Sequence, residues 1–277
     1  MITQQQQQQQ IDQYHDQGFL LIEDIFTKEE IHLMNKELPS ILEDDSPRKV
    51  KESNGEIRSY YGAHQVNDIY KRLSSKKKLI DPVMQILESK VYIHQTKINF
   101  KKALRGEWWE WHQDYPYWKI EDGMTSPRVI SVMIYLDDVT EFNGPLMVIP
   151  GSHKSGIASF DDKQKFTSNV EKATWTGANL KYTIDRSILK KGFEEDNVIS
   201  VPGKAGSALF FHGNIFHASN CNISPFDRKT YIVTYNSVNN VLDRVEKERP
   251  EYLSERDVTP IIPLDDTTFY TQLENSI

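Results

Sequence analysis

An α+β chain, mainly β, with helices gathered near the N-terminus around a β-sandwich or barrel core is what this sequence predicts. Three observations carry it. Helical stripes of apolar residues occur before residue 90. Alternating strand-like segments follow from residue 91, divided by Gly, Pro and Asn turns. No internal repeat and no Pro/Gly-rich linker divides the 277 residues, which reads as a low-complexity stretch over 1–10 followed by one domain over 11–277.

The glutamine run near the N-terminus reads as frayed or loosely helical. "GFLLIEDIF", Gly18 to Phe26, reads as a buried strand. Thr27 followed by Glu30 is a capping-box pattern, and Ile31, Met34 and Leu38 continue it as a helical stripe. Residues 43–59 are polar and short of apolar side chains, so they read as a loop. A second helical region spans about Asn67 to Glu88, interrupted near Pro82. "VYIHQTKINF" then alternates as a strand with one face on a polar site. "RVISVMIYLDD", "PLMVIPGS", "SALFFHGNIFHAS" and "TYIVTYNSV" are further strands.

Composition narrows the class of partner. Hydrophobic residues make up 38% and aromatics 11%, enough for a sizeable core. A net charge of -7 gives no electrostatic attraction to nucleic acid or anionic membrane. The single cysteine, Cys221, excludes an intrachain disulfide, and no run of about 18 apolar residues is present. A cytoplasmic protein acting on a small molecule, as a monomer or homodimer, is the expectation.

The chemistry concentrates in "EWWEWHQDYPYWKIEDG", residues 107–123. A histidine and a carboxylate among aromatic rings are costly to bury unless something pairs with them, and a metal ion is such a partner. On a strand, His112 and Asp114 would share a face. A third ligand is sought in "FFHGNIFHASNCNISPFDRKTYIVTYN", where His212 and His217 compete. His217 is preferred because Arg228 follows eleven residues later, beyond a Pro225-containing turn. That places a guanidinium where it can hold the far carboxylate of a chelating dicarboxylate, and Ser219 shares a strand face with His217. Two histidines, one carboxylate and open positions suit non-haem Fe(II) and oxygen chemistry.

These residues, with "NGPLMVIPGSHKSG" and "HASNCNISPFDRKTYIVTYNSVNN", resemble the phytanoyl-CoA dioxygenase family of Fe(II)/2-oxoglutarate-dependent oxygenases, and within it the ectoine hydroxylases, from about Gly18 to Leu242. The resemblance implies a double-stranded β-helix core (jelly-roll, cupin-like) with flanking N-terminal helices. It implies Fe(II) on His112, Asp114 and His217, and 2-oxoglutarate on Arg228 and Ser219, with O2 as the second co-substrate. It maps Gln95 and Asn99 onto the cofactor and substrate pocket, and Trp118 and Ser131 onto the substrate pocket. Ectoine hydroxylases carry Phe-Glu-Thr-Trp-His after the Asp, where this chain has Tyr115, Pro116, Tyr117, Trp118 and Lys119. Tyr117 in place of Thr reshapes the pocket, so a free amino acid or another small zwitterion is expected at least as readily as ectoine. Retention of Asp114 favours hydroxylation over halogenation. The rival readings are hydroxylation of a fatty acyl-CoA or a secondary metabolite, and a non-catalytic jelly-roll module that binds a small molecule.

Overall fold

A computed structural model of the chain describes residues 4–160, 180–194 and 197–265. The chain opens with α1 (Gln4–Gln17), so the glutamine run is helical from Gln4, and residues 1–3 lie outside the described residues. Then come β1 (Phe19–Ile22), α2 (Lys28–Glu43), β2 (Lys49–Lys51) and β3 (Ile57–Tyr61). Three helices follow: α3 (Ala63–Val66), α4 (Asp68–Leu73) and α5 (Lys77–Leu87). The site-bearing part runs β4 (Val91–Lys101), β5 (Trp109–His112), α6 (Tyr115–Asp122), β6 (Val129–Tyr135) and β7 (Leu146–Ile149). Last are α7 (Arg186–Glu194), β8 (Ile199–Val201), β9 (Ala208–His212), β10 (Phe216–Ser219) and β11 (Arg228–Ser237).

The strands form a jelly-roll of two antiparallel sheets. The larger has the order β1-β9-β6-β11-β4-β3-β2 and the smaller β5-β10-β7-β8. Period-2 alternation gives the larger sheet two different faces. Ile130, Val132, Ile134, Phe210, Tyr231 and Val233 point outward and bury the apolar stripes of α2, α4 and α5, including Met34, Leu38, Leu73, Ile80 and Val83. Met133, Leu209, Phe211 and Ile232 point inward and meet Leu146, Val148 and Val201 of the smaller sheet. The helices therefore close one face, and the space between the sheets is left for the site.

The capping box forms as its pattern predicts. Thr27 Oγ1 accepts from Glu30 N at 3.2 Å and Glu30 Oε2 accepts from Thr27 N at 2.8 Å. The same Glu30 carboxylate pairs with Lys76 Nζ, and both side chains are buried. One glutamate thus caps α2 and ties the α4–α5 junction to it.

Three expectations are corrected. The strand expected over Gly18–Phe26 ends at Ile22, because the chain turns through Asp24 at φ 53° before the Thr27 cap. The helical region breaks over residues 74–76 and not at Pro82, which lies inside α5. The polar stretch 43–59 is largely the β2–β3 hairpin at the edge of the larger sheet. Its buried centre is the ion pair Arg58–Glu52, a core that hydropathy cannot reveal. Within β4 a register shift opposite Thr234/Tyr235 leaves His94 as an extra residue. His94 there bonds Asp122 of α6 at 3.2 Å, while Gln95, Lys97 and Asn99 line the interior.

Replacing Glu30 with Ala removes the carboxylate half of the capping box and the buried Glu30–Lys76 ion pair together. Urea unfolding is expected to lose about 3–5 kcal/mol. Thr27→Ala removes the cap alone and is expected to lose about 1 kcal/mol. Equal losses for the two variants would contradict the double role of Glu30.

Candidate metal centre

The smaller sheet brings the two histidines together. His217 of β10 is the register partner of His112, the last residue of β5, and the ring centroids lie 4.1 Å apart. Asp114 is not on that strand. It is the N-cap residue of α6, with helical backbone angles, so the chain turns at Gln113 and folds the carboxylate back over the histidines. The shared-face argument is thus corrected: a strand–helix junction makes the pair. Gln113 holds the junction, its amide nitrogen donating to Gly156 O and Asn214 O at 2.7 Å each and its Oε1 accepting from Ala158 N at 2.9 Å. The β9–β10 turn presses under α6: Gly213 O accepts from Tyr115 N at 2.8 Å, and a Cβ on Gly213 would sit 3.1 Å from the Trp118 ring.

Ligand atoms of His112, Asp114 and His217 all lie within 4.8 Å of one another, and all three residues are buried. The Nδ1 of His112 lies 2.6 Å from Glu110 O, and that of His217 lies 3.0 Å from Ile215 O. A carbonyl can only accept, so each Nδ1 carries the proton and each Nε2 turns a lone pair inward. Those Nε2 atoms stand 3.6 Å and 3.9 Å from the Asp114 carboxylate. Asp114 Oδ2 is buried with no hydrogen-bond partner. Two imidazole lone pairs and an orphaned carboxylate oxygen facing one point fit a divalent transition metal with open positions.

The electrostatics agree with that geometry. Burial alone would raise the Asp114 carboxyl, but Lys97 and the two histidines hold it well below the usual carboxylate range. Burial, reinforced by the neighbouring His112, pushes His217 down to about 3, so it stays a neutral ligand. His212 does not join the group. Its Nδ1 accepts from Asn214 N at 2.9 Å, and its ring stands near His153.

Two cavities meet at this point, with His112, Lys97 and Trp109 lining both. The first lies on the Asp114 side and has aromatic walls from Tyr61, Trp109, Tyr117 and Trp118, with Gln95 and Arg249 as polar groups. The second lies on the His217 side and sets Asn99, Ser219 and Arg228 opposite Met133, Leu146 and Ile232. Gln95 and Asn99 are therefore separated. Gln95 donates to Leu253 O at 2.6 Å in the first cavity, whereas Asn99 Oδ1 accepts from Ser59 Oγ at 2.8 Å in the second. Tyr117 Oη accepts from Tyr182 N at 3.0 Å, and Trp118 stands edge-on to His94.

Ser131 lines neither of these cavities. Across the sheet the row runs Gln95, Thr234, Ser131, Phe211, and its long ends reach the cavities. The two short hydroxyls between them satisfy each other at 3.1 Å.

Arg228 is buried, and its donors go to Asn143 O, Gly144 O and Thr230 Oγ1. Among the described residues no carboxylate forms an ion pair with it, and burial pushes the guanidinium down to about 10. A guanidinium so enclosed calls for an anion. Arg249 was not singled out from sequence. Asp122 grips it at 2.7 Å and 2.6 Å and presents it to the first cavity. It lies in the polar segment "VEKERPEYLSER", where only the apolar Leu253 hints at burial.

Anaerobic titration with Fe(II) or Co(II), followed by calorimetry, should give one site per chain. Asp114→Ala should lose more affinity than the roughly 10–100-fold that outer partners of a metal ligand carry. Unchanged affinity in that variant would place the metal elsewhere.

The model of the phytanoyl-CoA dioxygenase family matches residues 14–230 of the chain. The L-proline trans-4-hydroxylase of Streptomyces griseoviridis is 32% identical over 253 residues, covering 91% of this chain and 94% of that one. The ectoine dioxygenase of Bordetella bronchiseptica is 33% identical over 267 residues, covering 92% and 85%. The crystal structure of EctD from S. alaskensis with 2-oxoglutarate and 5-hydroxyectoine aligns with a TM-score of 0.78 at 31% identity, covering 95% of this chain and 87% of that one. The same enzyme with bound Fe aligns equally well, at a TM-score of 0.78 and 29% identity. The epimerase SnoN from nogalamycin biosynthesis, 14% identical with a TM-score of 0.66, shares the fold.

Proposed function

The chain belongs to the phytanoyl-CoA dioxygenase family, and we propose that it is an Fe(II)- and 2-oxoglutarate-dependent hydroxylase of a free amino acid or amino-acid derivative. The observation that carries the reading is a buried His–Asp–His group beside a buried guanidinium with no carboxylate partner among the described residues. His112, Asp114 and His217 would hold the iron. Bound there, with 2-oxoglutarate and O2, it supplies decarboxylation of the co-substrate to succinate and carbon dioxide and oxidation of an unactivated C–H bond.

The protein's part is position and exclusion. In the second cavity Arg228 offers its fork to the far carboxylate of 2-oxoglutarate, with the Ser219 hydroxyl on the same wall. Met133, Leu146 and Ile232 cover the methylene carbons between the two ends. Lys97, its Nζ 3.9 Å from Asp114, adds positive charge where anionic groups gather. Asn99 stands in the same cavity, while Gln95 belongs to the substrate side.

Among the described residues the only carboxylate lining the first cavity is Asp114, which the metal group uses. The substrate's own carboxylate therefore finds Arg249 and the Gln95 amide. Its nitrogen finds ring faces rather than an acid, and a cation held against Trp109, Tyr117 or Trp118 gains cation–π attraction. These walls also keep water from the reacting carbon. L-proline and ectoine, the compounds in the relatives' names, are both small cyclic molecules with a carboxylate. A fatty acyl-CoA needs a long apolar channel, which this mixed aromatic and cationic lining does not resemble. A non-catalytic binding module has no use for an iron triad and a co-substrate arginine together.

The test is a succinate-release screen with Fe(II) and 2-oxoglutarate over L-proline, other free amino acids, ectoine and an acyl-CoA. Succinate and a hydroxylated product should form in equal amounts for an amino acid or derivative. Arg228→Lys should bind metal normally yet need roughly ten- to a hundredfold more 2-oxoglutarate, the worth of a buried charge-assisted fork. Turnover of acyl-CoA alone, or normal co-substrate dependence in Arg228→Lys, would overturn the respective assignment.

A further inference from the structure

Arg58 is the largest fully buried side chain among the described residues, and it touches neither cavity. Its guanidinium carbon lies 3.7 Å from the centroid of the Trp109 ring. One terminal nitrogen donates to Trp108 O at 3.0 Å, and the other pairs with Glu52 at 3.4 Å. Glu52 in turn accepts from Glu107 N at 3.1 Å and 3.3 Å. Two charged residues of the β2–β3 hairpin region thus grip residues 107–109 from behind. Arg58 Nε is left buried without a partner. Burial lowers the guanidinium and raises the Glu52 carboxyl, so both ions are held at a cost. An apolar pair would fill that space more cheaply, which asks what the cation does there.

Trp109 supplies the answer. It lines both cavities, its ring centroid stands 6.4 Å from that of His112, and Lys97 Nζ lies 6.0 Å from its centroid. With Lys97 and His112, the indole is one of the three side chains that line both cavities. Only Ser219 of β10 pairs with it in the smaller sheet, next to a register shift, so the strand alone holds it loosely.

We propose that Arg58, oriented by Glu52, is a positioning residue that clamps the Trp109 indole as the wall between the substrate and co-substrate cavities. Resting on the hydroxylase reading, the clamp keeps 2-oxoglutarate consumption tied to substrate oxidation. A cation stacked on a desolvated indole is stronger than one in water, and the Glu52 pair fixes its direction. A loosened indole joins the cavities and admits water beside the metal group.

The experiment compares wild type, Arg58→Met, Arg58→Lys and Glu52→Gln, with metal affinity and melting temperature recorded for each. Near-ultraviolet circular dichroism, taken as a difference against Trp109→Phe, reports the indole without any turnover. In Arg58→Met the Trp109 difference band should collapse, and succinate released from 2-oxoglutarate without primary substrate should rise severalfold, up to about thirtyfold, the factor a lost desolvated cation–π contact carries. Arg58→Lys should restore part of both signals, and all variants should keep wild-type metal affinity. A lower melting temperature with the Trp109 band and the substrate-free rate unchanged would mean that Arg58 only supports the fold, and would overturn the clamp. Absence of succinate from the wild type would overturn the hydroxylase reading, and the coupling role with it. The dichroism would still decide whether Arg58 holds the indole.

Discussion

The structure turns on the burial of one carboxylate. Asp114 sits in the core with Oδ2 unpaired, and its charge is answered by Lys97 and, once a metal binds, by the ion held with His112 and His217. An acid so placed cannot drift, because desolvation penalises every position but the one where its charge is answered. The neighbouring features follow from that demand. The chain must leave β5 and enter a helix at Asp114, Gln113 must anchor three backbone groups, and Gly213 must let the β9–β10 turn lie against Trp118.

Around that point charge is arranged in layers. Arg228 waits in the second cavity with only backbone and hydroxyl acceptors, whereas Arg249 enters the first cavity already paired with Asp122. The Asp122 carboxyl lies below its ordinary range in spite of burial, because His94 and Arg249 both bond it. Its partners come from the β4 bulge and from the segment after β11. That segment also delivers Leu253 O to Gln95 and lays the Tyr252 ring against the Arg48 guanidinium. The first cavity is thus lined from β3, β4, β5, α6 and the segment after β11, and the second from strands of both sheets.

What was legible in the sequence follows the same division. Strands of the jelly-roll announce themselves by alternation, and Thr27 with Glu30 marks the start of α2 by local chemistry. The grouping of His112, Asp114 and His217 was legible because metal chemistry calls for rare residue types, and the burial of Arg228 because a dicarboxylate reading calls for a fork. The first cavity was harder. Arg249 is buried by pairing with the distant Asp122, and Arg58, behind Trp109, by pairing with Glu52; both lie in polar segments that hydropathy registers as solvent-facing. Ser131 shows the reverse error: it is on the interior face, but only packing reveals that Thr234 takes its hydroxyl.

One metal site and one guanidinium that receive one co-substrate together would make a single chromophore. Anaerobic optical titration reads it: protein, then Fe(II), then 2-oxoglutarate, recorded in the visible. A charge-transfer band that requires both additions, with one equivalent of each, is expected. No band in the wild type, or a band that persists in His217→Ala, would contradict it.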